Sequence, residues 1–255
     1  MTTALSPRLT AATTGRVLRQ LRHDHRTVGM MVVLPSLLLG LLYLLWRDLP
    51  TFPGQPSTFD RVGLTMLGVF PFVVMFLVTS IAMLRERTTG TLERLLTTPL
   101  ARLDLLLGYG TAFGLAAAVQ AVVTVTVATG LYGLDVAGPL WTVVVIAVVD
   151  AVLGVALGLL ASAFARSEFQ AVQFMPVVVL PQFFLCGLLV PREQMAGWLQ
   201  AVSDVLPLTY AVDALQEVGR SPEPTGTMWV DVAVVGGVAV LALALAAATL
   251  RRRSG

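Results

Sequence analysis

The side chains that could carry a proton, a metal ion or a nucleophile are few in this chain and widely separated. Asp150 is the only ionisable residue deep inside a long apolar segment, where it could bind and release a proton. His23 and His25 flank Asp24, but no second cluster of metal-ligating residues accompanies them, so the spacing does not indicate a zinc site. Cys186 is the only cysteine, which excludes a disulfide within the chain. We recognise no catalytic constellation.

Lysine is absent, so all 17 basic residues are arginines. A nucleotide-binding loop of the form G-x-x-x-x-G-K-[ST] uses its lysine to neutralise the β- and γ-phosphates. The chain therefore has no such loop, and we predict that it is not itself an enzyme and holds no cofactor. Any ATP hydrolysis, with its Mg²⁺, must take place on another polypeptide.

The elements that carry these residues are apolar and long. Hydrophobic residues make up 56% of the chain and charged residues 13%, and a helix needs roughly 20 mostly apolar residues to cross a bilayer. Unbroken apolar runs favour helices over a β-barrel, whose strands would alternate. The sequence therefore predicts an all-α integral membrane protein. Its six predicted spans are Thr27–Trp46, Val62–Leu84, Leu105–Leu131, Pro139–Ala165, Ala171–Val190 and Trp229–Leu250.

The distribution of arginine predicts the orientation. With both termini on one side of the membrane, 13 of the 17 arginines lie on that side, as the positive-inside rule requires of the cytoplasmic face. We therefore expect a multi-pass cell-membrane protein with both termini in the cytoplasm. Residues 1–26 would be cytoplasmic or interfacial, residues 27–250 would form the six-span region and residues 251–255 a cytoplasmic tail, all in one domain, 1–255. The small net positive charge reflects this topology, and we expect no nucleic-acid partner.

A charged island separates the second and third spans. Gly90 and Pro99 bracket a segment of about two helical turns, which Thr91 can cap by accepting a hydrogen bond from a free amide. A short capped helix on the membrane surface is suited to docking a soluble protein, whereas the simpler alternative is a solvated loop. The residues expected to make this contact are Arg85, Glu86, Gly90, Thr91, Leu92, Glu93, Leu95, Leu96 and Pro99.

The segment before the first span has an amphipathic pattern. From Thr14 to Thr27 its aliphatic residues fall on one helical face and its basic residues on the other. Such a helix lies in the headgroup layer, with its arginines reaching anionic lipid, although a simple positive-inside anchor would show the same charges. The arginines of this interfacial helix are Arg16, Arg19, Arg22 and Arg26.

The long external segment between the fifth and sixth spans is partly apolar. An apolar stripe runs from Met195 to Leu206, Pro207 ends that helix, and Leu208–Val218 can form a second helix that covers the stripe. We predict a re-entrant helical hairpin whose characteristic residues are Trp198, Pro207 and Tyr210. The alternative is a loop that rests on the outer leaflet.

Two segments resemble a known family. Residues 85–99 read R-E-x-x-x-G-T-L-E-x-L-L-x-T-P and residues 206–215 read L-P-L-T-Y-A-V-D-A-L, and both resemble the ABC type-2 exporter permeases, nearest to the drug and antibiotic branch. The resemblance implies a permease subunit that pairs with a second permease, identical or homologous, and with two copies of a cytoplasmic ABC ATPase that binds ATP and Mg²⁺. It also implies a cytoplasmic coupling helix after span 2 and outward movement of an amphiphilic drug, antibiotic or lipid-like substrate.

In that family the substrate passes along the interface between permeases, chiefly beside the second and fifth spans. Prolines in both spans, at Pro71, Pro176 and Pro181, permit kinks there. An apolar groove with a few amides suits an amphiphilic substrate, although plain helix packing would use the same residues. The candidate path residues are Phe72, Phe76, Gln173, Phe174, Gln182, Phe183 and Phe184.

Asp150 supports a rival hypothesis, a proton-coupled multidrug antiporter. A carboxylate at that depth costs about 3 kcal/mol on insertion scales unless it is protonated or paired. No arginine or histidine lies at membrane depth and no inverted repeat is evident, so we expect a structural hydrogen bond to a neighbouring Thr or Gln instead. A membrane-embedded enzyme and a purely structural subunit are the remaining alternatives. Gly110-x-x-x-Gly114 and Gly154-x-x-x-Gly158 would allow close helix approach.

Overall fold

A computed structural model describes residues 6–50, 56–91 and 102–249, and within these ranges the chain is helical with no β-strand. The described helices are α1 Pro7–His23, α2 His25–Trp46, α3 Thr58–Thr88, α4 Arg102–Gly130, α5 Leu140–Ala161, α6 Glu168–Leu185, α7 Gly197–Ser203, α8 Pro207–Arg220 and α9 Gly226–Thr249, with a 3₁₀ turn Arg192–Gln194 before α7. Six of them, α2 to α6 and α9, are long and apolar enough to cross a membrane. The predicted six-span, all-helical class is confirmed.

Local signals account for helix boundaries that differ from the predicted ones. The helix α3 begins at Thr58 rather than near Val62, because Ser57 and Asp60 form a capping box. It also continues to Thr88, so that Arg85 and Glu86 belong to the helix and not to the following loop. The helix α6 ends at Leu185 rather than Val190, because Gly187 adopts a left-handed conformation (φ +89°).

The centre of the molecule is a backbone-to-backbone contact between α3 and α5. The two helices run parallel, with Gly154 facing Phe72 and Gly158 facing Phe76 one turn further on. A Cβ atom at position 158 would lie 2.6 Å from the carbonyl oxygen of Phe76, so only glycine permits this approach. In both α3 and α5, 61% of the residues in an apolar 18-residue stretch of the helix are buried. The corresponding share is 17% in α6 and 22% in α9. These two spans therefore form the core on which the others assemble.

The remaining helices surround this pair. The helices α4 and α9 pack on α5, and α1 crosses α4 where Thr13 lies over Gly108. We name the two ends of the molecule cytoplasmic and external after the orientation predicted from the arginines. The helix α8 packs on the external half of α3, since Leu64 contacts Gly219 and Leu215 contacts Gly68. Of the two predicted glycine pairs, Gly154-x-x-x-Gly158 makes a close approach. Gly110 and Gly114 meet only side chains, at ordinary van der Waals distances.

The α3–α5 contact predicts a sharp difference between two glycine-to-alanine changes. Gly154→Ala would press a methyl group against the backbone of Phe72 and should destabilise the protein by about 1–3 kcal/mol, as overpacking does. Gly237→Ala, in open space on α9, is the matched control and should leave stability unchanged or slightly raised. Thermal unfolding in detergent micelles measures both. Equal midpoints for the two variants would contradict the assigned contact.

Candidate functional site

The end of the molecule that is predicted to be cytoplasmic is organised around the single-residue turn between α1 and α2. Asp24 ends α1 and caps α2: its carboxylate accepts hydrogen bonds from the hydroxyl of Thr27 at 2.6 Å and the amide of Thr27 at 3.1 Å. These bonds lower the pKa of Asp24 below its ordinary value. At the other end of α1, the buried Asp104 of α4 accepts from the Ser6 amide at 2.9 Å and the Thr10 hydroxyl at 3.1 Å. One carboxylate thus anchors the start of α1 to α4, and another caps the start of α2.

Arg16 joins three helices at this end. Its guanidinium pairs with Glu86 of α3 at 3.3 Å, donates to the hydroxyl of Tyr109 of α4 and lies 5.5 Å from the centre of the Tyr109 ring. Gln20 donates to the same Glu86 oxygen at 3.3 Å. The Glu86 side chain is only 12% exposed, so this pair is better shielded from solvent than an ordinary surface salt bridge. We call Arg16, Gln20, Glu86 and Tyr109 the cytoplasmic junction.

The junction changes the interpretation of the predicted interfacial arginines. Arg16 faces protein, which corrects the prediction that it reaches lipid. Arg19 and Arg22 are exposed on α1, and Arg26 is exposed but belongs to the first turn of α2. Their predicted role at the membrane surface stays a prediction.

A second ion pair ties α3 to α6. Arg85 donates from Nε at 2.7 Å and from Nη2 at 3.1 Å to the two carboxylate oxygens of Glu168. Both side chains are more than half exposed, so the pair contributes little stability, but its bidentate geometry sets the positions of the helix ends. Gly90, with φ +73°, lies just past the C-cap residue Thr89. The hydroxyl of Thr91 is 3.1 Å from that of Thr89.

The rest of the predicted docking helix falls on residues 92–101, outside the described part of the chain. Its contact residues there are Leu92, Glu93, Leu95, Leu96 and Pro99. The capped helix and its contact with a soluble protein stay predictions. The junction includes Glu86, on the helix that precedes this segment in the chain.

The candidate path residues do not form one surface in this chain. Phe72 and Phe76 are fully buried beneath α5. Gln182 is also buried: it donates to the Val178 carbonyl at 2.9 Å and accepts from the Leu208 amide at 3.2 Å, which joins α6 to α8. The others lie along α6, where Gln173 and Phe184 are exposed and Phe174 and Phe183 are partly buried.

On the external side, the predicted cover of the α7 stripe is not formed. Trp198 is 69% exposed and Val202 is 42% exposed, whereas Leu208 and Leu215 are buried against other helices. This corrects the prediction that the second helix covers the stripe, and the re-entrant position stays a prediction. Pro207 is the first residue of α8, as its missing N–H allows.

Sequence reasoning missed the residue that holds this region together. Arg192 pairs with Asp204 at the end of α7 and with Asp213 on α8. Tyr210 donates to the Asp204 carbonyl at 2.6 Å, and Ser203 donates to the Leu185 carbonyl at 2.8 Å. The only signal for Arg192 was its isolation among external acidic residues. Tyr109 and Asp104 of the cytoplasmic side were missed because polar residues near a span end are common.

Asp150 is fully buried, and neither of its carboxylate oxygens has a hydrogen-bond partner among the described residues. A Cβ atom at Gly68 would lie 3.3 Å from Asp150 Oδ2. The predicted hydrogen bond from a Thr or Gln is therefore wrong for the described part of the chain. An ionised carboxylate that is buried without a partner costs free energy. No group of three or more His, Cys, Asp or Glu residues suited to a metal ion occurs within the described ranges.

Similar proteins place this arrangement in a family. The model of the family described as ABC-2 type transporter matches residues 8–218. The chain is 26% identical over 165 residues to the probable multidrug ABC transporter permease YbhR of Escherichia coli K12, which covers 65% of this chain and 45% of YbhR. It is also 26% identical over 182 residues to the probable multidrug permease YbhS of the same organism, covering 71% of this chain and 48% of YbhS.

A eukaryotic protein is similar too. The ABC transporter G family member 20 of Dictyostelium discoideum is 26% identical over 171 residues, 66% of this chain and 23% of that protein. The matches thus span less than half the length of each of these relatives. The family match, in contrast, covers most of this chain, including the cytoplasmic junction and five of the six spans, α2 to α6. The chain is a multi-pass membrane protein that belongs to the ABC-2 type transporter family.

Proposed function

We propose that this chain is the membrane-spanning permease subunit of an ATP-driven exporter, located in the cell membrane with both termini in the cytoplasm. ATP and Mg²⁺ bind to a separate cytoplasmic ABC ATPase, present in two copies. The absence of lysine supports this division of labour, because the chain cannot contain a phosphate-binding loop. The substrate is an amphiphilic drug, antibiotic or lipid-like molecule, in keeping with the multidrug names of two relatives.

The cytoplasmic junction is the observation that carries the proposal. Glu86 stands near the end of α3 and belongs to the predicted docking contact, five residues before Thr91, the predicted cap of the docking helix. Through Arg16 and Tyr109 it connects that end to α1 and α4, and the neighbouring Arg85 connects it to α6. A movement of the docking segment would therefore be transmitted to four helices at once. This is the arrangement that a transporter needs if its ATPase lies on another polypeptide.

The helix α6 supports pairing with a second permease, identical or homologous. It is the least buried span, and its exposed surface includes Gln173, an amide that lipid cannot satisfy. A second copy of the same helix could offer hydrogen bonds to that amide. The path residues on α6, from Gln173 to Phe184, would then line the space between two permeases, whereas Phe72 and Phe76 would act through packing.

Reversing the charge of Glu93 tests the docking segment. Glu93→Arg should lower transport-linked ATPase activity at least several-fold, because it places a positive charge where the partner meets an acidic side chain, while membrane insertion is unaffected. The matched control is Glu223→Arg, the same change on the external side. Vesicle ATPase assays with the co-expressed ATPase give the measurement. Normal activity in fully assembled Glu93→Arg would refute the docking role.

The junction predicts a contrast between two arginines of the same helix. Arg16→Gln removes the charge that pairs with the shielded Glu86 and should uncouple ATP hydrolysis from transport. Arg19→Gln removes an exposed charge three residues away and should have little effect. The ratio of substrate moved to ATP hydrolysed, measured in proteoliposomes, separates the variants. If both ratios stay at the parent value, the junction is a structural contact and does not couple.

Asp150 distinguishes the ATP-driven exporter from the proton-coupled alternative. Asp150→Asn keeps the shape of the side chain and removes its titration, so transport should persist within about twofold of the parent and should resist a protonophore. Glu217→Asn, an external change, controls for expression. Loss of transport in Asp150→Asn at normal expression, together with protonophore sensitivity of the parent, would favour the antiporter.

A further inference from the structure

A groove of about 570 Å³ lies between α1, α2, α3 and α4, apart from the α6 surface. Its inner part is apolar and is formed by Met31 and Leu34 of α2, Val74 and Val78 of α3, and Phe113 of α4. Its mouth is polar and lies at the turn between α1 and α2. The groove is separate from the candidate path residues.

The groove opens sideways and has the length of one leaflet. Met30 and Leu34 at its edge are 65% and 39% exposed, so the opening faces the surface that a membrane covers. From Glu86 at the mouth to Val74 at the inner end, α3 rises about 18 Å at 1.5 Å per residue. Half of a hydrocarbon core of about 30 Å is close to this length. The shape therefore fits one extended acyl chain.

The charges at the mouth are of both signs, and Asp24 is the one of them that has no oppositely charged partner among the described residues. Asp24 is bound by Thr27, Arg85 by Glu168, and Glu86 by Arg16. Asp24 and Arg85 both line the mouth. A headgroup that carries one positive and one negative charge matches this arrangement, since an ammonium can approach Asp24 and a phosphate can approach Arg85. Of the charged residues that line the groove, two are carboxylates and one is an arginine, so a headgroup with net negative charge would bring no cation to Asp24 and would meet an excess of negative charge.

We propose that the groove binds one acyl chain of a zwitterionic phospholipid from the cytoplasmic leaflet, with the headgroup between Asp24 and Arg85. The bound chain wedges α2 away from α3 and α4 and lies directly above the cytoplasmic junction, since Glu86 and Tyr109 line the same groove. This lipid site goes beyond the proposed transport function and does not depend on it. Its occupancy would hold α1 in the position that lets Arg16 reach Glu86.

Photolabelling tests the site. The purified chain is reconstituted without an ATPase into vesicles of phosphatidylethanolamine and phosphatidylglycerol that contain a trace of phosphatidylethanolamine with a diazirine in one acyl chain. After illumination, mass spectrometry maps the labelled residues. We expect labelling to concentrate on α2 and α3 residues of the groove. Val78→Trp, which fills the groove, should reduce that labelling at least fivefold.

Two further variants serve as controls for the photolabelling of the groove. Val177→Trp adds the same side chain to the exposed face of α6, where Val177 is 69% exposed, and should leave groove labelling unchanged. Ala82→Leu fills the mouth more gently and replaces Val78→Trp if that variant fails to assemble. Even labelling of the groove and α6 would mean annular lipid only and would overturn the site.

Two further outcomes also decide against the proposal. Equal labelling by a diazirine phosphatidylglycerol would overturn the zwitterionic assignment. Displacement of the label by rhodamine 6G, a cationic amphiphile, would overturn the resident lipid in favour of a substrate-loading site. Because no ATPase is present in the experiment, its failure would leave the proposed transport function untouched.

Discussion

The close contact between α3 and α5 is the constraint on which the rest of this structure depends. Between membrane helices the hydrophobic effect supplies no net attraction, because lipid tails are as apolar as the side chains. Association then depends on close packing, and Gly154 and Gly158 let the α5 backbone reach the carbonyls of Phe72 and Phe76. Once this pair is formed, the position of every residue on α3 is set.

The position of α3 then defines both ends of the molecule. Its external half receives α8 at Gly68 and Leu64, and its cytoplasmic end carries Arg85 and Glu86 beyond the apolar core. The ion pairs there are weak by the standard of packing, since exposed pairs contribute about 0–1 kcal/mol. They cannot hold the fold together, but they connect the end of α3 to α1, α4 and α6. Packing therefore stabilises the structure, and the polar contacts at its ends connect it to whatever binds there.

Much of this fold could be predicted from the sequence, because the bilayer imposes a length and a composition on each span. The six spans follow directly from that constraint, and the glycines of α5 were recognisable by their four-residue spacing. The cytoplasmic junction was not predictable, since it joins residues such as Arg16 and Tyr109 that are 93 positions apart. A helical pattern shows which residues share a face but not what that face meets. For this reason Arg16 was placed towards lipid and Phe72 towards a path.

The surfaces and polar groups that have no partner within the described part of the chain are the most informative about its surroundings. In α3 and α5 more than half of the residues are buried, and the Asp150 side chain lies there with no hydrogen-bond partner among the described residues. In α6 the opposite holds, since an apolar span with an exposed amide has little protein around it. The groove beside α2 is also not filled by the described part of the chain, and it has a polar mouth and an open apolar interior. An isolated copy must leave both surfaces to lipid, so the contrast between the closed α3–α5 core and these open sides indicates where other molecules belong. In the proposed exporter, α6 contacts a second permease and the groove binds a lipid. The junction is connected to the α6 surface and to the groove through α3.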